Sequence, residues 1–166
     1  MRRFVLLGVL AGCVAPPEGG LRLDDPLRWT MLTPEQDPFV DHRPEDSWCP
    51  PNTWGEEDGG LEVQTGACRW FSASQPLPAA LPKGAELEIL VWHDLLDAAE
   101  PGTGHTGLVV DGEVLWEAEV DIPRPAGILP ATVRLPRRVD AGAELTFHVH
   151  NHGFNSWTLV EVRWVR

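Results

Sequence analysis

From about residue 62 to the C-terminus, apolar and polar positions alternate in short runs separated by turn-forming residues. Leu87, Ile89 and Val91 alternate with Glu86, Glu88 and Leu90, and Leu145, Phe147 and Val149 alternate with Thr146, His148 and His150. A period of two places successive side chains on opposite faces of an extended chain, so these runs predict half-buried β-strands. The same criterion predicts strands over 68–71, 86–93, 107–110, 114–120, 131–135, 145–151 and 158–165. Asp111-Gly112 between two such runs is a strong hairpin signal. Lys83-Gly84, Asp140-Ala141-Gly142 and the segment 153–156 supply further turns, and Pro123, Pro125 and Pro130 fill one connection. No run repeats at 3.6 residues, and 95–100 has room for one helical turn only. Seven short antiparallel strands with frequent turns predict an all-β sandwich around one core.

The preceding residues have no such period. Residues 13–60 are rich in Pro, Gly, Asp and Glu, which predicts a tether and an irregular arm. Trp29, Trp48 and Trp54 interrupt this polar stretch, and burial of their rings is expected to draw the arm onto the sandwich. The expected division is therefore a leader over 1–12, an arm over 13–60 and a β-sandwich over 61–166.

The leader carries a basic head, Met1-Arg2-Arg3, followed by an apolar run over 4–11 that is too short to span a bilayer. Leu10-Ala11-Gly12-Cys13 follows directly and resembles the lipobox of bacterial lipoproteins. That resemblance implies cleavage before Cys13, a diacylglycerol on its sulfur and an acyl chain such as palmitate on its new amino group. Acyl chains in that number anchor a protein stably to a membrane. By the same resemblance, Val14 in the next position implies the outer membrane, with the domain facing the periplasm or the cell surface.

Export changes the meaning of the two remaining cysteines. In an oxidising compartment Cys49 and Cys68 are expected to form a disulfide, because the closely spaced pairs typical of thiolate metal sites are absent. The formal charge of −12 falls to −14 once Arg2 and Arg3 are removed with the leader. No basic patch is visible, which argues against a nucleic-acid partner.

The chemistry-bearing residues cluster late in the chain. His148, His150 and His152 share one strand face, opposite Leu145, Phe147 and Val149. Imidazoles at this spacing suit zinc or copper, with His93 and His105 as additional ligands if the fold brings them near. A hydrogen-bonded network with Asn151, Asn155 and Ser156 is the alternative. His93 also has the parity of the core residues of its strand and fits the edge of the core. Trp92 has the outward parity and can stack on a sugar ring or lie under the arm. Trp157 begins the last strand beside the histidine-bearing turn and is the other aromatic candidate. Catalytic constellations are not apparent: no serine has a nucleophile-elbow context, no phosphate-cradling glycine motif is present, and Glu117 and Glu119 read as a solvated face.

The segment LTFHVHNHGFNSWTLVEVRW, residues 145–164, is similar to the closing hairpin of jelly-roll domains of the galactose-binding-like and carbohydrate-binding-module type. The similarity rests on Asn151, Gly153, Asn155, Ser156 and Trp157, and on the hairpin over 109–116, and it covers about residues 62–166. It implies a jelly roll, on which a glycan site is expected to use Trp92 or Trp157 beside His148, His150, His152 and Asn155. The acidic calcium-site pattern of those modules is missing. Three functions are thus expected to compete: a glycan-binding lipoprotein, a zinc- or copper-binding one, and a structural or protein-interaction module of the envelope.

Overall fold

The computed structural model describes residues 15–45, 47–151 and 153–166, and for residue 42 the backbone alone. The lipobox with Cys13, and His152, lie outside the described residues. Two antiparallel sheets form a sandwich, and no α-helix occurs among the described residues. The first sheet has the order β3 (Trp54–Glu57), β4 (Gly60–Gln64), β11 (Ser156–Trp164), β6 (Glu86–His93), β9 (Gly127–Arg134), and β1 (Leu21–Arg22) also pairs with β11. The second has the order β2 (Thr30–Met31), β5 (Trp70–Pro76), β10 (Glu144–His150), β7 (Gly102–Val110), β8 (Glu113–Ile122). Between the sheets lies a core fed by alternate residues of each strand, including Val63, Phe71, Leu87, Ile89, Val91, Leu108, Phe147 and Val149.

Several elements depart from the expected pattern for identifiable reasons. The strand β9 runs through Pro130, which pairs with Leu90. It is the edge of its sheet, the place where a residue without an N–H is tolerated. β7 starts at Gly102, five residues earlier than the alternation suggests. Gly104 is required there, since a Cβ would stand 2.8 Å from the Trp157 ring. Residues 95–100 form no helical turn; Leu96 instead bridges Arg124.

The arm is part of the sandwich. β1 and β2 add to one sheet each, and β3–β4 is a hairpin whose Asp58 and Gly59 both have positive φ, 49° and 80°. This is the two-residue turn that Asp-Gly favours, because its twist matches that of the flanking strands. The sandwich therefore begins near Leu21 rather than at residue 61. Trp29 is buried against Phe147 and Trp54 packs on Phe71, whereas Trp48 is 65% exposed.

One clamp joins the arm to the last strand. β11 has a bulge between Leu159 and Glu161. Arg22 bonds the buried Asp24 carboxylate and donates to the carbonyls of Gly59 and Val160. Asp24 in turn accepts the backbone N–H of Val162 at 2.7 Å. The extra residue switches the parity of β11, so that Trp157 and Leu159 before it and Val162 and Trp164 after it all face the core. The Cys49–Cys68 disulfide is formed and fixes residue 49 beside the entry to β5.

Candidate functional site

Two outer faces of the sandwich carry concentrated chemistry. On the second sheet, β10 sends Phe147 and Val149 into the core and His148 and His150 the other way. Register then decides their neighbours. His150 lies between Trp70 of β5 and His105 of β7, and His148 lies between Ser72 and Gly107. The arm folds over this face. Asp37 and Phe39 cover it, and Phe39 stacks on His148 with ring centroids 4.4 Å apart. Gly107 leaves the room for this, as a Cβ there would meet the Phe39 ring at 3.0 Å. Trp70 stacks on His150 at 4.5 Å and meets His148 edge-on.

A chain of hydrogen bonds runs through these rings. The buried Asp37 carboxylate accepts Trp70 Nε1–H at 2.6 Å, the Ser72 hydroxyl at 2.9 Å and the backbone N–H of Phe39 at 3.0 Å. Ser72 Oγ lies 2.7 Å from His148 Nδ1, and His148 Nε2 lies 2.8 Å from His150 Nδ1. On β7, His105 Nε2 is 3.1 Å from a Glu117 carboxylate oxygen, and its Nδ1 is buried without a hydrogen-bond partner among the described residues. One nitrogen from each of His105, His148 and His150 lies within 4.8 Å of the others. A cleft of about 460 Å³ opens beside them, with Thr103, Glu117 and Glu119 on its walls.

The other concentration is on the outer face of the first sheet. Trp92 stands there half-buried, level with Thr158 on β11 and Ile128 on β9. It borders a groove of about 400 Å³ whose other walls include Glu57, Glu62, Asp94, Ser156 and Thr158. Glu57 is held above the ordinary carboxylate range, first by a hydrogen bond shared with Glu62 and then by the charge of Glu62. Acidic groups and hydroxyls thus surround one aromatic face.

The expected site residues are therefore divided rather than gathered. Trp92 and the histidines occupy opposite outer faces with the core between them, so they do not form one glycan groove. Trp157 is not a contact residue: it is 0% exposed, directed into the core between Val63 and His93. His93 is not a ligand of the histidine group. It is buried on β6 in the first sheet, its Nδ1 bonds the carbonyl of Asp94 at 3.0 Å, and its ring rests on Trp157. Asn155 pins a loop: its Oδ1 accepts the N–H of Asp97 at 2.7 Å and its carbonyl accepts the N–H of Thr65. His105 does join His148 and His150, which are buried or half-buried beneath the arm rather than lying on an open surface.

Asp37, Phe39, Ser72 and Glu117 were not singled out by the pattern of the chain as partners of these histidines. Asp37 and Phe39 lie in an aperiodic segment with no signal of where it packs. Ser72 does interrupt an otherwise apolar run between Phe71 and Ala73, a sign of a polar group on the opposite face.

No protein-family model matches the sequence, and no curated protein matches it. Solved structures do resemble the fold. A CBM4 structure superposes with a TM-score of 0.52 at 13% identity, covering 86% of this chain and 90% of the other. The K3 cleaved adhesin domain of Lys-gingipain from Porphyromonas gingivalis superposes with a TM-score of 0.51 at 15% identity, covering 88% and 98%. The protein thus shares the jelly-roll sandwich of carbohydrate-binding modules.

Proposed function

We propose that the protein is a non-catalytic, lipid-anchored module of the bacterial cell envelope that binds carbohydrate in the Trp92 groove. The observation that carries this reading is Trp92 itself, a half-buried indole bordering a groove walled by carboxylates and hydroxyls. An aromatic face packs against the apolar face of a sugar ring, while a few placed polar groups orient the ligand. Glu62 and Asp94 would accept sugar hydroxyls, and Ser156 and Thr158 would donate to or accept from them. The acidity of the groove disfavours anionic glycans and favours neutral ones. The jelly-roll likeness supplies a scaffold compatible with this role, and the groove supplies the argument for it.

Affinity electrophoresis through gels containing neutral polysaccharides tests the site. Retardation of the protein by at least one polysaccharide, lost at least tenfold in Trp92→Ala with an unchanged circular dichroism spectrum, is the expected result. Retardation that persists in Trp92→Ala would remove the groove from the site, and no retardation on any neutral glycan would remove the function.

The anchor rests on the lipobox resemblance of residues 10–13. Among the described residues no helix is long and apolar enough to cross a membrane. In cells fed radiolabelled palmitate, label is expected on the protein and absent from Cys13→Ala, which should also keep its uncleaved leader. Label retained by Cys13→Ala would refute lipidation at that residue.

A further inference from the structure

We propose that His105, His148 and His150 bind one divalent transition metal, zinc or copper(II), with a coordination position open to the cleft beside Glu117 and Glu119. This site lies on the opposite face of the sandwich from the Trp92 groove and is independent of the carbohydrate reading.

The argument starts from the protons. The Asp37 carboxylate only accepts, so the single hydroxyl proton of Ser72, 2.9 Å away, points to it. Ser72 Oγ must then accept from His148 Nδ1–H at 2.7 Å. This leaves the lone pair of His148 on Nε2, directed at His150 Nδ1, 2.8 Å distant. The same logic applies to His105. Its Nε2–H donates to Glu117, so its lone pair is on Nδ1, the buried atom that has no hydrogen-bond partner among the described residues. Metal-bound histidines characteristically donate their remote N–H to a carboxylate, a hydroxyl or a carbonyl, which selects the tautomer and orients the ring. Both rings have that arrangement here, His105 toward the Glu117 carboxylate and His148 toward the Ser72 hydroxyl, which is itself bonded to Asp37.

Packing holds the rings where a metal needs them. Centroids of the three imidazoles are 5.1 to 5.4 Å apart. Phe39 and Trp70 stack on His148 and His150 and limit their rotation. A tetrahedral ion at 2.0–2.1 Å from each nitrogen sets them about 3.3 Å apart. One nitrogen of each ring lies within 4.8 Å of one nitrogen of the other two, so binding an ion calls for side-chain adjustment of the rings rather than for a change of fold. The proton on His150 Nδ1 leaves that nitrogen as the ion enters, by conversion of the ring to its other tautomer, and the freed lone pair binds the ion.

The donor set identifies the class of ion. Three imidazoles with no thiolate suit zinc and copper(II), while calcium and magnesium require oxygen. The remaining position faces the cleft, so water or an exchangeable ligand would complete the sphere.

Elemental analysis and copper electron paramagnetic resonance on the full detergent-solubilised chain test the site. After exposure to zinc or copper(II) and gel filtration, one equivalent of metal should remain, and the copper spectrum should show coupling to three nitrogens. His105→Gln and His150→Gln should each weaken binding at least tenfold, and Glu117→Gln should weaken it about tenfold through loss of the ring's orientation. His93→Gln, on the other sheet, should retain one equivalent. His148 is too deeply packed for its removal to be a clean test, so the nitrogen count of the wild-type spectrum stands for it. Less than about a tenth of an equivalent of either metal, undiminished binding in His105→Gln, or a spectrum with a single nitrogen would overturn the proposal.

Discussion

Replacing Trp157 by alanine should lower the stability of the domain by about 4 kcal/mol, the range for deleting a buried aromatic ring. The ring is fully buried, packed between Val63 and His93, and its edge fills the space left by Gly104. All of these neighbours belong to hydrogen-bonded strands, so the cavity cannot collapse and its cost adds to the lost transfer energy. A drop in melting temperature of about 8–16 °C is expected for a chain of this size. Trp92→Ala removes a ring that is half-exposed on the outer face and should cost less than about 1.5 kcal/mol. Urea unfolding of both variants, with midpoints compared at constant slope, reads the contrast. Equal losses in the two variants would show that the inward and outward faces of the first sheet have been assigned wrongly.

Opening the Cys49–Cys68 disulfide should cost about 3 kcal/mol, because the sequence separation of 19 sets the loop entropy returned to the unfolded chain. The corresponding fall in melting temperature is about 6–12 °C. Cys68 is buried and Cys49 packs against the core, so the double variant Cys49→Ala/Cys68→Ala should lose at least as much as the reduced protein. A local consequence is expected as well. The bridge, together with the bond from Arg69 N–H to the Trp48 carbonyl, fastens the end of the arm that lays Asp37 and Phe39 over the histidines. Hydrogen exchange of the Phe39 amide, which donates to Asp37, should therefore speed up on reduction. Thermal melts with and without a phosphine reductant provide the measurement; an unchanged midpoint would mean that the bridge constrains nothing in the unfolded state.

Much of the sandwich is legible along the chain. The parity of Leu87, Ile89 and Val91, and of Leu145, Phe147 and Val149, identifies the inward faces of β6 and β10, and the structure has them so. Asp111-Gly112 marks a hairpin, and its counterpart Asp58-Gly59 makes another with the same backbone signature. That second signal is equally present in the sequence, but the proline- and acid-rich composition around it masks the strands it joins. Trp157 illustrates the opposite limit. Parity counted back from Trp164 fails at the bulge near Val160, and the bulge is held by Arg22 and Asp24, more than a hundred residues away in the chain. Local periodicity carries no trace of such a clamp.

The histidines divide the same way. Their alternation places His148 and His150 on the face away from the core, because strand geometry alone dictates that. Which side chains stand beside them is a matter of strand register and topology. His105 reaches His150 because β7 pairs with β10, Ser72 reaches His148 because β5 pairs on the other side, and Phe39 seals them because the arm crosses that sheet. The sequence by itself determined most of the strands and turns after residue 68 and the alternation of faces within each unbroken run, since these follow from neighbours a few residues apart. Only the tertiary structure decided which faces meet the core, the arm or solvent, because those contacts join segments distant in the chain whose pairing is chosen by the packing of the whole.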